Sequence, residues 1–156
     1  VDFKPTVLGL LGLPADRRDE GRDASALLVS GKTPAGWKDV AFSRNAAGNW
    51  RMAVSAQYKF IVSPSADPCL YDLQADPLEL KNQFREPALR ETVRGLAQAL
   101  SGYAARCKEP FADVPSVRAD LEWAAGDRAD YQAPSRPASA VRAKKAGKRR
   151  EAGEDE

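Results

Sequence analysis

The chain has 156 residues, of which 43% are hydrophobic, and its 24 Lys and Arg residues nearly balance its 22 Asp and Glu residues. This length and composition predict one domain with its own core, and the formal charge of +2 gives no reason to expect nucleic acid or a membrane surface as a partner. The sequence contains no histidine, so it lacks the side chain that most often serves as general acid or base at neutral pH.

The first predicted element is a helix near the N-terminus. We expect Asp2 to be its N-cap, Pro5 to lie in its first turn and Gly12 to end it. Residues 7–13 are apolar nearly all round, which indicates a helix that needs cover on more than one side. The run is too short and too interrupted to cross a membrane, so no transmembrane helix is predicted. A polar loop with one short helical turn is expected over residues 15–36.

The middle of the chain predicts a small antiparallel sheet of about four strands. Alternation is clearest where Tyr58, Phe60 and Val62 share one face of a strand, and residues 45–49 have the composition of a turn. The strands are expected at residues 39–44, 50–56, 58–63 and 70–73.

The last part of the chain predicts helices and then a tail. Apolar residues recur at spacings of three and four from Leu89 to Cys107, which indicates a long amphipathic helix covering one sheet face, and a short helix is expected at residues 115–126. The fold class is therefore α+β, with one small sheet packed against a long C-terminal helix. The predicted organisation is a subdomain at residues 1–110, a connector at 111–133 and a disordered charged tail at 134–156.

The tail has a basic block at residues 142–150 followed by an acidic end at 151–156. One interpretation is an electrostatic contact with a polyanion, which would gain from counterion release. The other is a solvated low-complexity segment. Because no aromatic residue interleaves the charges and acidic residues follow closely, the sequence favours the solvated tail.

The two cysteines permit at most one disulfide bond. Cys69 lies beside a predicted strand and Cys107 at the end of the long helix, and two separate thiols are the more common arrangement for such a pair. The redox compartment is therefore left open by the sequence.

The most informative stretch runs from Leu70 to Asn82 and reads Leu-Tyr-Asp-Leu-Gln-Ala-Asp-Pro-Leu-Glu-Leu-Lys-Asn. Physically it predicts a strand followed by a turn, since Pro77 has a fixed φ and the Asp76 side chain can accept bonds from nearby backbone amides. The stretch resembles the Leu-Tyr-Asp-Leu-x-x-Asp-Pro-x-Glu-x-x-Asn signature near the C-terminus of type I sulfatases, in the alkaline phosphatase superfamily.

Two further motifs occur in the order that the family has them. Residues 1–14 are similar to the sulfatase Asp-x-x-Pro-Thr-Leu-Leu-x-Leu-x-Gly-Leu helix. Residues 50–61 resemble its hairpin ending in Arg-x-Tyr-Lys-Tyr-Ile, although Ser55 and Gln57 stand where the family often has arginine. The three motifs together cover roughly residues 1–107.

The resemblance implies that this chain is the C-terminal part of a sulfatase. A sulfatase uses a formylglycine made in a Cys/Ser-x-Pro-x-Arg motif and a calcium or magnesium ion, and neither Cys69 nor Cys107 stands in such a motif. Together with a first residue that is not Met, this predicts a fragment that lacks the N-terminal catalytic domain and is inactive alone. A sulfate ester is then the expected substrate of the parent, and the family is often periplasmic or secreted.

Four residues of the hairpin are candidates for a substrate rim, because cationic and amide donors bind sulfate or carboxylate oxygens: Arg44, Asn45, Arg51 and Lys59. The same residue types also form the ordinary wet surface of an antiparallel sheet. Trp37 and Trp50 are candidates for stacking on a sugar ring or packing at the sheet edge. A metal cluster of Asp72, Asp76 and Asn82 is disfavoured, because the family motif places them at turn and cap positions.

Two other functions stay open at this level. The parent can be a relative that hydrolyses phosphate or phosphonate esters, which share the metal-assisted scheme. Alternatively, the chain is a non-catalytic binding module that uses its basic tail, which predicts salt-sensitive retention on heparin or DNA.

Overall fold

A computed structural model describes residues 2–19, 21–33, 36–37, 39–45, 47–108, 110–128 and 130–136. The chain divides into two compact units, Val1–Asp39 and Val40–Glu156. The basic block at residues 142–150, and with it most of the predicted tail, lies outside the described residues.

The first unit contains two short helices, α1 (Phe3–Leu10) and α2 (Ser25–Ser30). The polar loop with one helical turn is thus found as predicted. The buried Thr6 joins the parts of this unit, because its hydroxyl donates to the Asp2 carbonyl at 2.6 Å and accepts from the Ala24 amide at 3.0 Å.

Asp2 occupies the N-cap position of α1, as predicted, and its carbonyl accepts from the Thr6 amide at 3.1 Å, but its side chain does not cap the helix. Asp2 has helical dihedral angles, φ −75° and ψ −13°, and makes no side-chain cap bond. Its carboxylate instead accepts from the Arg22 amide at 2.7 Å. A capping side chain reaches the first-turn amides from an extended backbone, and the helical dihedral angles of Asp2 do not place its carboxylate there.

The apolar character predicted for α1 is present, and much of it faces solvent within this chain. Phe3 is 82% exposed and Leu11, just beyond the helix, is 66% exposed. Gly12 follows with φ +66°, the left-handed conformation that ends many helices.

The second unit is built on one antiparallel sheet with the strand order β1-β2-β3-β4, which confirms the predicted sheet. The strands are β1 (Ala41–Arg44), β2 (Arg51–Val54), β3 (Tyr58–Ser63) and β4 (Ala66–Asp72). β4 begins four residues before the expected position, and it includes Pro68. A proline is tolerated there because β4 is an edge strand and the β3–β4 register shifts between Ile61 and Ser63.

Within its described residues the second unit also has two α-helices, α3 (Arg90–Arg106) and α4 (Pro115–Ala125), each preceded by a short 3-10 helix, Pro87–Leu89 and Pro110–Asp113. Both helices lie where the sequence predicts them. They contact β2 and β3 and bury their apolar sides against one face of the sheet. The core consists of Ala53, Phe60, Val62, Leu70, Phe84, Val93, Leu96, Ala97, Leu100, Val117, Leu121, Trp123 and Ala124.

The register separates the two faces of the sheet. Residues paired directly across an antiparallel ladder share a face, so the row Phe42, Ala53, Phe60 and Leu70 defines the core face. Phe42 stacks on Tyr103 of α3 with ring centroids 4.5 Å apart, which fixes the helix on this face. The opposite face, here called the outer face, is formed by Ala41, Ser43, Met52, Val54, Lys59, Ile61, Cys69 and Tyr71.

Candidate functional site

Arg44 and Arg51 lie together at the end of the β1–β2 hairpin. They are direct register partners, so both side chains leave the core face of the sheet at adjacent positions. Arg44 is exposed, whereas Arg51 is only 9% exposed and donates from Nη1 to the Trp50 carbonyl at 3.0 Å. The pair therefore combines a fixed guanidinium with one that reaches solvent.

Asn45 organises the turn that follows Arg44. Its Oδ1 accepts from the Asn49 amide at 2.7 Å, and its carbonyl accepts from the Gly48 amide at 3.1 Å. Gly48 has φ +72°, a conformation that favours glycine in a tight turn. Asn45 thus shapes the hairpin end that carries the two arginines.

Lys59 does not join this group, because it lies on the outer face. Its ammonium forms an ion pair with Glu79 and lies 5.8 Å from the centroid of the Tyr71 ring. The structure therefore brings Arg44, Asn45 and Arg51 together at one hairpin end and places Lys59 on the other side of the sheet.

Asp72 and Asp76 order the turn after β4. Asp72 Oδ1 accepts from the amides of Gln74 and Ala75, both at 3.0 Å, and the bond from Ala75 is the largest cause of the lowered pKa of Asp72. Asp76 Oδ2 accepts from the Lys81 amide at 2.8 Å. Asp72 Oδ1 and Asp76 Oδ2 thus accept from backbone amides, as expected for turn and cap positions, and Asp72 Oδ2 accepts from Gln57 Nε2 at 3.1 Å.

Asn82 completes the same turn by joining it to β4. Its Oδ1 accepts from the amides of Leu70 and Phe84, both at 3.0 Å, and its Nδ2 donates to the Pro68 carbonyl at 3.1 Å. In the part of the chain that the structure describes, no three His, Cys, Asp or Glu side chains could hold a metal ion. The described residues thus do not fit the divalent cation that the sequence resemblance implies.

The surroundings of Trp37, Trp50 and the two cysteines are as follows. The Arg22 guanidinium lies 4.1 Å from the centroid of Trp37, within the first unit, and Trp50 is half-buried beside Arg51. Cys69 and Cys107 are both half-buried and are not bridged to each other.

A buried charged cluster beneath α4 was missed by the sequence analysis. Asp120 is fully buried, and its Oδ1 accepts from Arg136 Nη2 at 2.8 Å and from the Tyr131 hydroxyl at 2.7 Å. Among the described residues Asp120 Oδ2 has no hydrogen-bond partner. Burial raises the pKa of Asp120, while Tyr131 and Arg136 act in the opposite direction.

Arg136 ties the end of the described chain to the sheet. Besides Asp120, it donates to the Ser63 carbonyl at 3.0 Å and to Asp67 Oδ1 at 3.3 Å, and its side chain is 9% exposed. It lies within the stretch assigned to the tail by composition. One feature of the sequence could have predicted this contact. Asp120 is a charged residue on the apolar side of α4, and a buried carboxylate requires a cationic partner from elsewhere in the chain.

An open groove of about 510 Å³ lies between α3, α4 and the second 3-10 helix. Its charged rim is partly paired, since Arg118 binds Asp113 at 3.3 Å. Ser101 lines the groove, but the sequence holds no histidine to serve it as a base. The lining therefore offers a surface and no catalytic constellation. The lining residues are Ser101, Ala104, Ala105, Lys108, Asp113, Arg118, Leu121, Glu122 and Ala125.

Solved structures share this arrangement of sheet and helices. The structure of BT4656 in complex with its substrate D-glucosamine-2-N,6-O-disulfate matches 70% of this chain with 24% identity and a TM-score of 0.60. BT1596, a 2-O GAG sulfatase, matches 72% of it with 21% identity and a TM-score of 0.58. This chain has the fold of the corresponding parts of these two structures. The resemblance predicted from the three sequence motifs is thereby confirmed.

This chain spans about a quarter of the length of the chains it matches, 25% of BT4656 and 26% of BT1596. The phosphonate monoester hydrolase of Agrobacterium radiobacter is also similar, with 27% identity and a TM-score of 0.54 over 67% of this chain and 24% of its own. No protein-family model and no curated protein matches the sequence. Within the described residues, no helix is long and apolar enough to cross a membrane.

Proposed function

We propose that this subdomain belongs to a sulfate ester hydrolase, where it supports and borders the substrate pocket while residues outside these 156 carry out the chemistry. The observation that carries this proposal is the match to BT4656, a structure solved with a disulfated glucosamine, over 70% of this chain but only 25% of the other. The described residues contain no group that fits a metal. The formylglycine and the calcium or magnesium ion of a sulfatase would therefore be held by the rest of the protein.

The hairpin end is the part of the subdomain best suited to border an anionic substrate. Arg51 is buried and held by the Trp50 carbonyl, so it gives a fixed positive charge beneath the exposed guanidinium of Arg44. Guanidinium groups form paired, charge-assisted hydrogen bonds to the oxygens of a sulfate or carboxylate. Asn45 sets the position of this end through its turn bonds. Lys59, on the outer face and paired with Glu79, has a structural role in this proposal.

A phosphonate monoester hydrolase is the second candidate. The specific observation in its favour is the 27% identity to the Agrobacterium radiobacter enzyme over 67% of this chain. Sulfate and phosphonate monoesters present similar tetrahedral anions, so the same two arginines would suit either substrate.

Hydrolysis assays on two proteins test the proposal. The 156-residue chain and the complete product of the reading frame that contains it are each assayed with a glucosamine sulfate ester, an aryl sulfate and an aryl phosphonate monoester. We expect the chain alone to be inactive and the complete product to hydrolyse sulfate esters in preference to the phosphonate. Preference for the phosphonate would select the second candidate, and an inactive complete product would refute both. A signal sequence upstream of Val1 would support a periplasmic or secreted protein.

The rim assignment predicts a defect in substrate binding when Arg44 is removed. In the complete product, Arg44→Ala should raise KM for a sulfate ester by about 10-fold with kcat little changed, because one charge-assisted hydrogen bond is lost. Arg118→Ala, which removes an exposed arginine of α4, is the matched control. Steady-state kinetics would contradict the assignment if Arg44→Ala and Arg118→Ala both had the same KM as the unmodified complete product.

A further inference from the structure

The turn after β4 presents two leucines to solvent. Leu78 is 76% exposed and Leu80 is 81% exposed, and only Glu79 separates them. Single exposed leucines are common on protein surfaces, but two together on one tight turn form a local apolar patch.

The turn that carries them is tightly bonded. The Asp76 amide donates to the Asp72 carbonyl at 2.8 Å, and the Glu79 amide donates to the Asp76 carbonyl at 3.0 Å. The Asp76 side chain accepts from the Lys81 amide at 2.8 Å. Glu79 itself has φ 56°, a left-handed conformation that is uncommon for a residue with a side chain. A turn held in this way displays its leucines at little entropic cost to a partner.

Glu79 also fixes the turn beside the outer face of the sheet. Its carboxylate forms the ion pair with Lys59, whose register partners are Val54 and Tyr71. Met52 and Ile61 form the adjacent row of this face. The Lys59–Glu79 ion pair therefore joins the turn to the outer face, and Leu78 and Leu80 flank Glu79 on that turn. The exposed ion pair between Lys81 and Glu86 follows the two leucines in the chain.

We propose that Leu78, Leu80 and the outer face form the docking surface for the remaining part of the sulfatase fold, an inference that rests on the proposed function. The matched chains are about four times as long as the part this subdomain spans. Interfaces between the parts of one enzyme bury apolar anchors, and Leu78 and Leu80 are exposed apolar side chains on a tightly bonded turn. A second copy of this chain is the alternative occupant.

A comparison of the same variants in two proteins tests this proposal. Leu78→Asp combined with Leu80→Asp is made in the complete product and in the 156-residue chain, with Gln98→Asp, at an exposed position of α3, as a control that adds a negative charge elsewhere on the surface. In the complete product, the double variant should lower the thermal unfolding midpoint by at least about 5 °C. In the isolated chain, the same variant should change the midpoint by about 1 °C or less. The control should change neither protein. If the Asp variant of the complete product does not accumulate, the milder Leu78→Ser and Leu80→Ser pair gives the same comparison.

Three outcomes would overturn the docking surface: equal shifts in both proteins, no shift in the complete product, or a reading frame that encodes nothing beyond this chain. A dimer of the isolated chain that the Asp variant dissociates, measured by light scattering, would assign the surface to a second copy instead. Failure of the proposed function would be detected by a separate measurement, the hydrolase activity of the wild-type complete product. A wild-type complete product that lacks hydrolase activity but loses stability in the double variant would refute the function and keep the docking surface.

Discussion

Replacing Arg136 by alanine should destabilise the second unit by about 3–5 kcal/mol, since it leaves a buried carboxylate without its cation. Asp120 is fully buried, and Arg136 Nη2 is its cationic partner at 2.8 Å. The same change removes the bonds to the Ser63 carbonyl and Asp67. Because domains unfold with about 5–15 kcal/mol in total, urea titration of the variant should show a large fall in the midpoint.

The loss should depend on pH in a defined direction. Burial already raises the pKa of Asp120, and the Arg136 guanidinium lowers it. Removal of Arg136 therefore raises the pKa of Asp120 further in the folded state. A carboxyl whose folded pKa exceeds its unfolded value of about 3.9 favours folding at low pH and loses that contribution as pH rises through the folded pKa. The Arg136→Ala variant should therefore lose less stability at pH 4 than at pH 7.

Two further variants separate the ion pair from the other contacts of Arg136. Asp120→Asn should reduce the pH dependence of the free energy of unfolding. Combining it with Arg136→Ala should lower that free energy by less than the sum of the two single changes, as expected for directly coupled groups. Equal losses at pH 4 and pH 7 for Arg136→Ala, or additive effects in the double variant, would contradict a role for the buried pair.

The sheet and the long helix were predictable because each is encoded by local pattern. Alternation in β3 and the spacing of three and four from Val93 to Leu100 both set a buried face within one element. The turn role of Asp76 was also predicted from local chemistry, since its side chain accepts from an amide five residues away, whereas the position of Asn82 came from the family motif. Such signals need no knowledge of the rest of the fold.

The contacts that the sequence analysis missed join residues far apart in the chain. Arg136 meets Ser63 across 73 positions, and a polar composition gave no sign that this stretch would be anchored. β4 was expected only at residues 70–73, and its first residues include Pro68, which is tolerated because the strand order places β4 at the edge of the sheet. The four rim candidates were chosen by residue type, and only the register shows that Lys59 lies on the other face from Arg44 and Arg51.

Phe84 is the other residue whose loss we expect to be severe. It is 2% exposed and lies between the sheet, α4 and the segment after it, with ring centroids 6.1 Å from Phe60, 5.1 Å from Trp123 and 5.1 Å from Tyr131. Phe84→Ala would open a cavity bordered by three rigid aromatic rings, which have little freedom to collapse into it. We expect a loss of about 3–5 kcal/mol in the free energy of unfolding, measured by urea titration.

A paired variant shows whether this loss comes from the cavity. Leu78→Ala removes a smaller apolar side chain from the same connection between β4 and α3, but from a position that is 76% exposed, so it should change the free energy by about 0.5 kcal/mol or less. Phe84→Leu keeps most of the volume and should cost clearly less than Phe84→Ala. The aromatic cluster also holds Tyr131 beside Asp120. Phe84→Ala should therefore loosen the segment that carries Arg136, which proteolysis near residues 127–136 would detect. A loss for Phe84→Ala no larger than that for Leu78→Ala would show that this cluster does not hold the unit together.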